Sequence, residues 1–299
     1  MGQREQWIDI GKGLAIILMV IGHTSIPHGL SNFIWAFHMP FFFLVSGWVT
    51  HWNKTSFKEF VIRRSKSLLV PFFVYSLIVL SIYSLIGNNK WHDWLFLGWG
   101  GYALWFVPVL YVASIIAKMI LMTKKEFLTI VIIIILIVLG AALRYMHISL
   151  PWTMCSVPYA TALIMIGAKV QCVSFKNNVW LFLISFAITI TVSLFWRLDM
   201  ASNQIIPVLP LTIGALAGCI MLLCLSQFIE KHSPHVSNVL SSIGRETYVV
   251  MAFSQIFILF LNYYTSLGSL LRYFLLIVAL VIVTFLKNKF NRLVGKKIL

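Results

Sequence analysis

The chain has 299 residues, of which 60% are apolar and 10% charged, with a formal net charge of +15. Soluble domains run near about 25% charged, so the ordinary soluble classes are excluded and nearly the whole chain reads as membrane-embedded. The basic residues stand in short clusters between apolar runs, with no basic face interleaved with aromatics, which excludes a nucleic-acid-binding protein.

A helix that crosses a bilayer needs about 20 residues. On that rule spanning helices are expected near 10–29, 33–51, 68–87, 103–122, 127–146, 154–172, 179–196, 205–228, 241–263 and 268–286. That makes an all-α polytopic membrane protein of about ten helices. One membrane domain is expected over residues 1–299, with no soluble domain attached. Arg4 followed by an apolar core imitates a signal peptide, but no small-residue cleavage site follows and the segment carries Asp9 and Lys12, so an uncleaved first helix is expected.

The first helix, "DIGKGLAIILMVIGH", holds an acid, a base and an imidazole on an otherwise apolar stretch. Lys12 and His23 are 11 residues apart, three turns plus about 20°, so they share a face, and Asp9 lies on the same stripe. The axial distance from Lys12 to His23 is about 16 Å, and from Asp9 to His23 about 21 Å. Asp9 is therefore assigned to pair with Lys12 or a nearby arginine rather than to a dyad with His23. Ionisable groups within a span normally face a bundle interior or a wet cavity. Their plain structural alternatives are an interhelical hydrogen bond for His23 and interfacial snorkelling for Lys12.

The second helix repeats the pattern in "WAFHMPFFFLVSGW". His38 precedes Pro40, which removes a helix donor, and Ser46 and Gly47 permit close packing. His23 and His38 lie on successive antiparallel helices and could face one cavity; a histidine satisfied by a carbonyl freed at the proline is the structural alternative for His38. The largest polar gap follows, with Lys54, Lys58, Arg63, Arg64 and Lys66. It reads as an orientation signal that attracts anionic lipid, or as a docking site for an anionic cytoplasmic ligand such as a nucleotide phosphate. The segment "WHDWLFLGWGGY", 91–102, is too short to span and reads as interfacial or re-entrant.

Later ionisable residues carry less. His92, His147, His232 and His235 are expected in solvated loops, and Arg245 and Glu246 in structural pairs at a helix start. Cys155, Cys172, Cys219 and Cys224 read as small buried hydrophobes, without zinc spacing or a disulfide framework. Charge sets the expected orientation. With the N-terminus in the cytoplasm, only Lys90, Arg144, Arg197 and Arg272 of the 23 basic residues fall on the opposite side. That bias places both termini inside.

These residues together resemble acyltransferase family 3, integral membrane proteins that O-acylate sugars and surface polymers. The resemblance covers nearly the whole chain. It rests on Asp9, Lys12 and Gly13 opening the first helix, on the basic residue, ten intervening positions and histidine of Lys12 and His23, and on "FHMPFFFLVSG" around His38, Ser46 and Gly47. The basic segment leading to Pro71, the run "LWFVPVLY" with Trp105 and Phe106, and "IGRETYVVMAFSQ" from Ile243 add to it. The likeness is nearest to the fucose O-acetylase-like branch. Where the family often has a second arginine three residues after the first, this chain has Lys66, an ammonium without the guanidinium fork. Where the late motif often ends in histidine, it has Ser254 or Gln255, so no late catalytic histidine is assigned.

The resemblance implies acetyl-CoA as co-substrate, no metal, a carbohydrate acceptor that is exported or lipid-linked, and a bacterial plasma membrane. Lys12, Arg63, Arg64 and Lys66 would then hold the CoA phosphates on the cytoplasmic side. His23 would act as general base or acyl carrier, with His38 orienting the acceptor or relaying a proton. Asp9, Ser46 and Trp105 are counted with the substrate site, Trp105 as a stacking surface for a sugar. A proton-coupled transporter or flippase could use the same buried histidines, although no internal repeat of the kind many transporters carry is present. A membrane scaffold would have no use for His23. Oligomeric state is open, a homodimer included.

Overall fold

The computed structural model describes residues 5–85, 87, 90–97, 102–171, 178–264 and 269–293. Regular structure among them is helical. The elements are α1 Gln6–Gly22, α2 His28–Val49, α3 Phe57–Arg64, α4 Val70–Leu85, α5 Trp91–Leu97, α6 Phe106–Leu121, α7 Glu126–Tyr145, α8 Val157–Val170, α9 Val179–Phe195, α10 Val208–His232, α11 Pro234–Arg245, α12 Thr247–Tyr264 and α13 Ser269–Leu293. Among the described residues seven helices are long and apolar enough to cross a bilayer, and the bent pair α11–α12 makes an eighth. At 17 residues each, α1 and α9 reach about 26 Å, slightly under the ~30 Å hydrocarbon core. The protein is an all-α polytopic membrane protein.

Each expected span holds a helix, with three corrections. The first helix stops at Gly22 rather than running to 29, because the chain turns through His23–Pro27 and restarts at His28. The basic stretch expected as a loop over 52–67 is helical from Phe57. Ser56 caps α3 by accepting from the Glu59 amide at 3.3 Å, as a Ser-x-x-Glu start does, and a wide π turn over Ser65–Leu69 carries α3 straight into α4. The ninth expected helix, 241–263, is two helices bent by 78° about Glu246. α11 begins upstream at Pro234, a residue suited to a first helical turn. His92 and His235 accordingly sit in α5 and α11, and His232 at the end of α10, rather than in loops.

Two seams hold the centre. Gly47 of α2 and Gly167 of α8 face each other's backbones: a Cβ on Gly47 would lie 1.9 Å from the Ile164 oxygen, and one on Gly167 1.9 Å from the Leu44 oxygen. Gly13 of α1 and Gly244 of α11 repeat the arrangement, at 2.2 Å from the Leu240 oxygen and 1.7 Å from the Asp9 oxygen. Lipid is as apolar as leucine, so helices in a membrane associate through close backbone approach rather than hydrophobic burial. These glycines make that approach possible, and the second seam fixes the backbone at Asp9. The α2 and α8 spans are mostly buried, whereas α7 and α13 turn their Ile, Leu and Phe side chains outward, as lipid-facing helices do. Cys155, Cys219 and Cys224 are buried free thiols, as expected; Cys172 lies outside the described residues, as do residues 98–101 of the segment expected to be interfacial.

Candidate active site

His23 sits immediately beyond the last turn of α1, where its amide donates to the Val20 oxygen at 3.2 Å. Its ring Nδ1 lies 2.8 Å from the Met19 oxygen. His38, inside α2, repeats this bond with Nδ1 2.9 Å from the Ile34 oxygen. Its partner is thus the carbonyl four residues back from its own position, not the Ala36 carbonyl that Pro40 leaves without an amide donor. A carbonyl only accepts, so Nδ1 carries the hydrogen in both rings, and in the neutral imidazole Nε2 is the basic nitrogen.

The two rings meet edge to face at 6.3 Å between centroids. Trp35 completes the cluster, 5.3 Å from His23 and 5.7 Å from His38, and its indole donates to the Gly22 oxygen at 3.3 Å, tying the end of α1 to α2. A cavity of about 40 Å³ opens between Met19, His23, Trp35, His38, Met39 and Trp105 on one side and Leu198–Ala201 on the other. It has room for a water molecule or two, not for a sugar. Trp105 reaches it from the short turn Tyr102–Trp105 ahead of α6, anchored by Phe106, whose ring lies tilted at 56° and 4.6 Å from that of Phe43.

The cover over this cavity is the loop between α9 and α10. Its Leu198 and Met200 are buried. Ser156 donates to the Met200 oxygen, and Asn203 donates to the Gly140 oxygen at 3.1 Å. Asp199 shapes the loop from within: its carboxylate accepts from the Ala201 amide at 2.9 Å and the Ser202 hydroxyl at 2.7 Å. Arg197 lies over Trp35, its Cζ 3.9 Å from the ring centroid, a favourable cation–π arrangement.

The expected cations lie at the other end of the bundle and are not gathered in one place. Lys12 pairs with Asp9 at 2.7 Å, as the stripe predicts. Arg64 turns inward, donating to Thr50 at 2.6 Å and Ser46 at 3.4 Å with Phe60 beneath it. Ser46 therefore stands beside Arg64, about 12 Å along α2 from His38, and not at the histidine cavity. Arg63, next in the chain, is exposed and paired with Glu59, and Lys66 is exposed. Between Lys12 and His23 the shared face is closed by Ile16 and Met19, both fully buried. Lys118, also buried, donates to the Trp52 and Thr55 oxygens and so pins the turn between α2 and α3.

The family model for an acyltransferase domain matches residues 5–289. The chain belongs to acyltransferase family 3. It is a multi-pass membrane acyltransferase, and no curated protein and no solved structure matches it.

Of the residues singled out by sequence, this acyltransferase brings together His23, His38 and Trp105 at one end, and Asp9 with Lys12 and Arg64 with Ser46 at the other. Trp35, Arg197 and Asp199 complete the histidine cluster and were missed. The signal was present: "FWRLDM" puts two opposite charges beside aromatics at the end of an apolar helix otherwise bare of charge. Of the expected structural pairs, Glu246 pairs with Lys287 of α13, whereas Arg245 makes no ion pair among the described residues and donates to the Ser241 oxygen of its own helix at 3.2 Å.

Proposed function

We propose that the protein is an O-acetyltransferase of a bacterial plasma membrane, moving an acetyl group from cytoplasmic acetyl-CoA to a hydroxyl of an exported or lipid-linked sugar, with His23 as the base. The observation that carries the reading is the pair of imidazoles meeting in a small intramembrane cavity with each Nδ1 held by a carbonyl. Within an acyltransferase family, a buried ring with a free basic Nε2 is suited to general-base work.

In the proposed step, Nε2 of His23 takes the acceptor hydroxyl proton as the oxygen bonds to the thioester carbonyl carbon. The carbon–sulfur bond breaks, and the departing thiolate recovers the proton from the imidazolium to leave as free CoA. His38 orients the acceptor hydroxyl beside His23, and Trp105 flanks the cavity that this hydroxyl enters. Lys12 and Arg64, aided by Arg63 and Lys66 at the surface, hold the CoA phosphates through charge-assisted hydrogen bonds. The pantetheine arm then follows the Lys12–His23 face. Ile16 and Met19 close that face and both must yield to admit the arm; Met19, which also lines the cavity, is unbranched and adaptable.

The experiment uses purified protein in liposomes, radiolabelled acetyl-CoA and a pool of candidate glycans, comparing wild type with His23→Ala. The reading expects CoA release and labelled glycan only with wild type. Equal turnover by His23→Ala sinks the assignment, and a labelled protein intermediate would make His23 an acyl carrier instead of a base.

A further inference from the structure

Beside the covered cavity lies a second, open hollow of about 570 Å³, lined by Arg144, Tyr145, His147, Arg197, Gln204 and Ile206. Its volume falls in the range of about 300–1,000 Å³ usual for small-ligand sites. It forms where the end of α7, the chain after α9 and the chain before α10 come together, at the same end of the bundle as His23. Among the described residues neither Arg144 nor Arg197 makes an ion pair. The nearest acid in sequence, Asp199, spends its oxygens on its own loop. The hollow thus presents two guanidinium groups without an ion-pair partner among the described residues, together with a phenol, an imidazole and a carboxamide.

We infer that this hollow binds the acceptor, and that the acceptor carries a negative charge: a carboxylate or phosphate on the sugar. The inference rests on the reading of the histidine pair as the acyl-transfer site. A guanidinium fork matches a carboxylate or phosphate with two parallel hydrogen bonds, and Tyr145, His147 and Gln204 supply the mixed donors and acceptors that sugar hydroxyls need. Position supports the same occupant. Arg197 bounds the hollow and also lies over Trp35, which touches both histidine rings. Arg197 thus connects the hollow to the histidine cluster through Trp35, whose ring centroid lies 3.9 Å from the Arg197 Cζ and 5.3 and 5.7 Å from the rings of His23 and His38. A lipid headgroup has the same charge, and the test below separates the two occupants.

The test is equilibrium binding of glucuronate and of glucose to the full-length protein in nanodiscs of zwitterionic lipid, without acetyl-CoA. Saturable glucuronate binding is expected, with glucose at least about tenfold weaker. Arg144→Gln should weaken glucuronate by about tenfold or more while leaving glucose unchanged, and Arg144→Lys should retain part of the preference. Arg197→Gln serves in its place should Arg144→Gln not melt as wild type does. Equal affinity for the two sugars, no binding of either, or glucuronate binding insensitive to both arginines overturns the inference. A second arm adds phosphatidylglycerol to the discs: unchanged glucuronate affinity supports the sugar site, whereas its loss makes the hollow a headgroup site and overturns the proposal. Because no donor is present, failure here is separate from failure of acetyl transfer.

Discussion

The two ends of the bundle treat their ionisable groups in opposite ways. At the histidine end, the side chains converge. His23 and His38 come from different helices, are held by carbonyl bonds of one kind, and share a cavity with Trp35 beneath a pinned loop. At the cationic end they disperse: Lys12 to Asp9, Arg63 to Glu59, Arg64 into the hydroxyls of α2, and Lys66 into the open. The contrast suits the proposed division of labour. A proton transfer needs one fixed geometry, whereas a long polyanion can be held by separate cations, each exchanging an internal partner for a phosphate. It also suggests that the cations nearest the interior matter most for the donor.

Variants can break or sharpen this contrast. The largest effect is expected from His23→Ala, a loss of acetyl transfer of about 10²–10⁴-fold, the usual worth of a general base, with unchanged protein in the membrane. His38→Ala should lose less, about tenfold to a hundredfold, because the base remains. Both are read as kcat in the liposome assay, and a larger loss in His38→Ala would exchange the two roles.

Gly244→Val addresses the frame that both ends share. Its Cβ would fall 1.7 Å from the Asp9 oxygen, and overpacking of this kind costs about 1–3 kcal/mol or more. A melting temperature lower by several degrees in detergent is expected, with a weaker donor site because the seam sets Asp9 and Lys12. A melt like that of wild type would show that the α1–α11 seam is loose.

Within the cationic end, neighbouring arginines should differ. Arg64→Ala removes the inward group and should weaken acetyl-CoA binding by about tenfold, as loss of a charge-assisted hydrogen bond does. Arg63→Ala removes an exposed, paired group and should change binding less than about twofold. Equal effects in a binding titration would mean that depth within the bundle does not rank the cations.

The apolar runs made the spans legible, because twenty apolar residues have few alternatives in water or lipid. The Lys12–His23 stripe was legible too, since helical phase is arithmetic, and the same arithmetic predicted the Asp9–Lys12 pair. Other features depend on tertiary placement. α11 is a short amphipathic helix, too polar for a hydropathy rule to see. Which of Arg63 and Arg64 turns inward depends on how α3 is phased against α2, a matter of packing that composition does not carry. Ser46, counted with the substrate site, shares a helix with His38, but two helical turns put it beside Arg64 instead. The cover loop was missed because its Arg197 and Asp199 act through folding back over Trp35 and the cavity, which no local spacing records.

The most direct measurement of the division of labour is sidedness. Oriented proteoliposomes would receive acetyl-CoA on one face and the glycan pool on the other, in both arrangements, with His23→Ala as control. The account predicts labelled glycan only when acetyl-CoA meets the face bearing Lys12 and Arg64 and the glycan meets the face bearing Arg144 and Arg197. Transfer with the two arranged the other way round, or undiminished in His23→Ala, would contradict it.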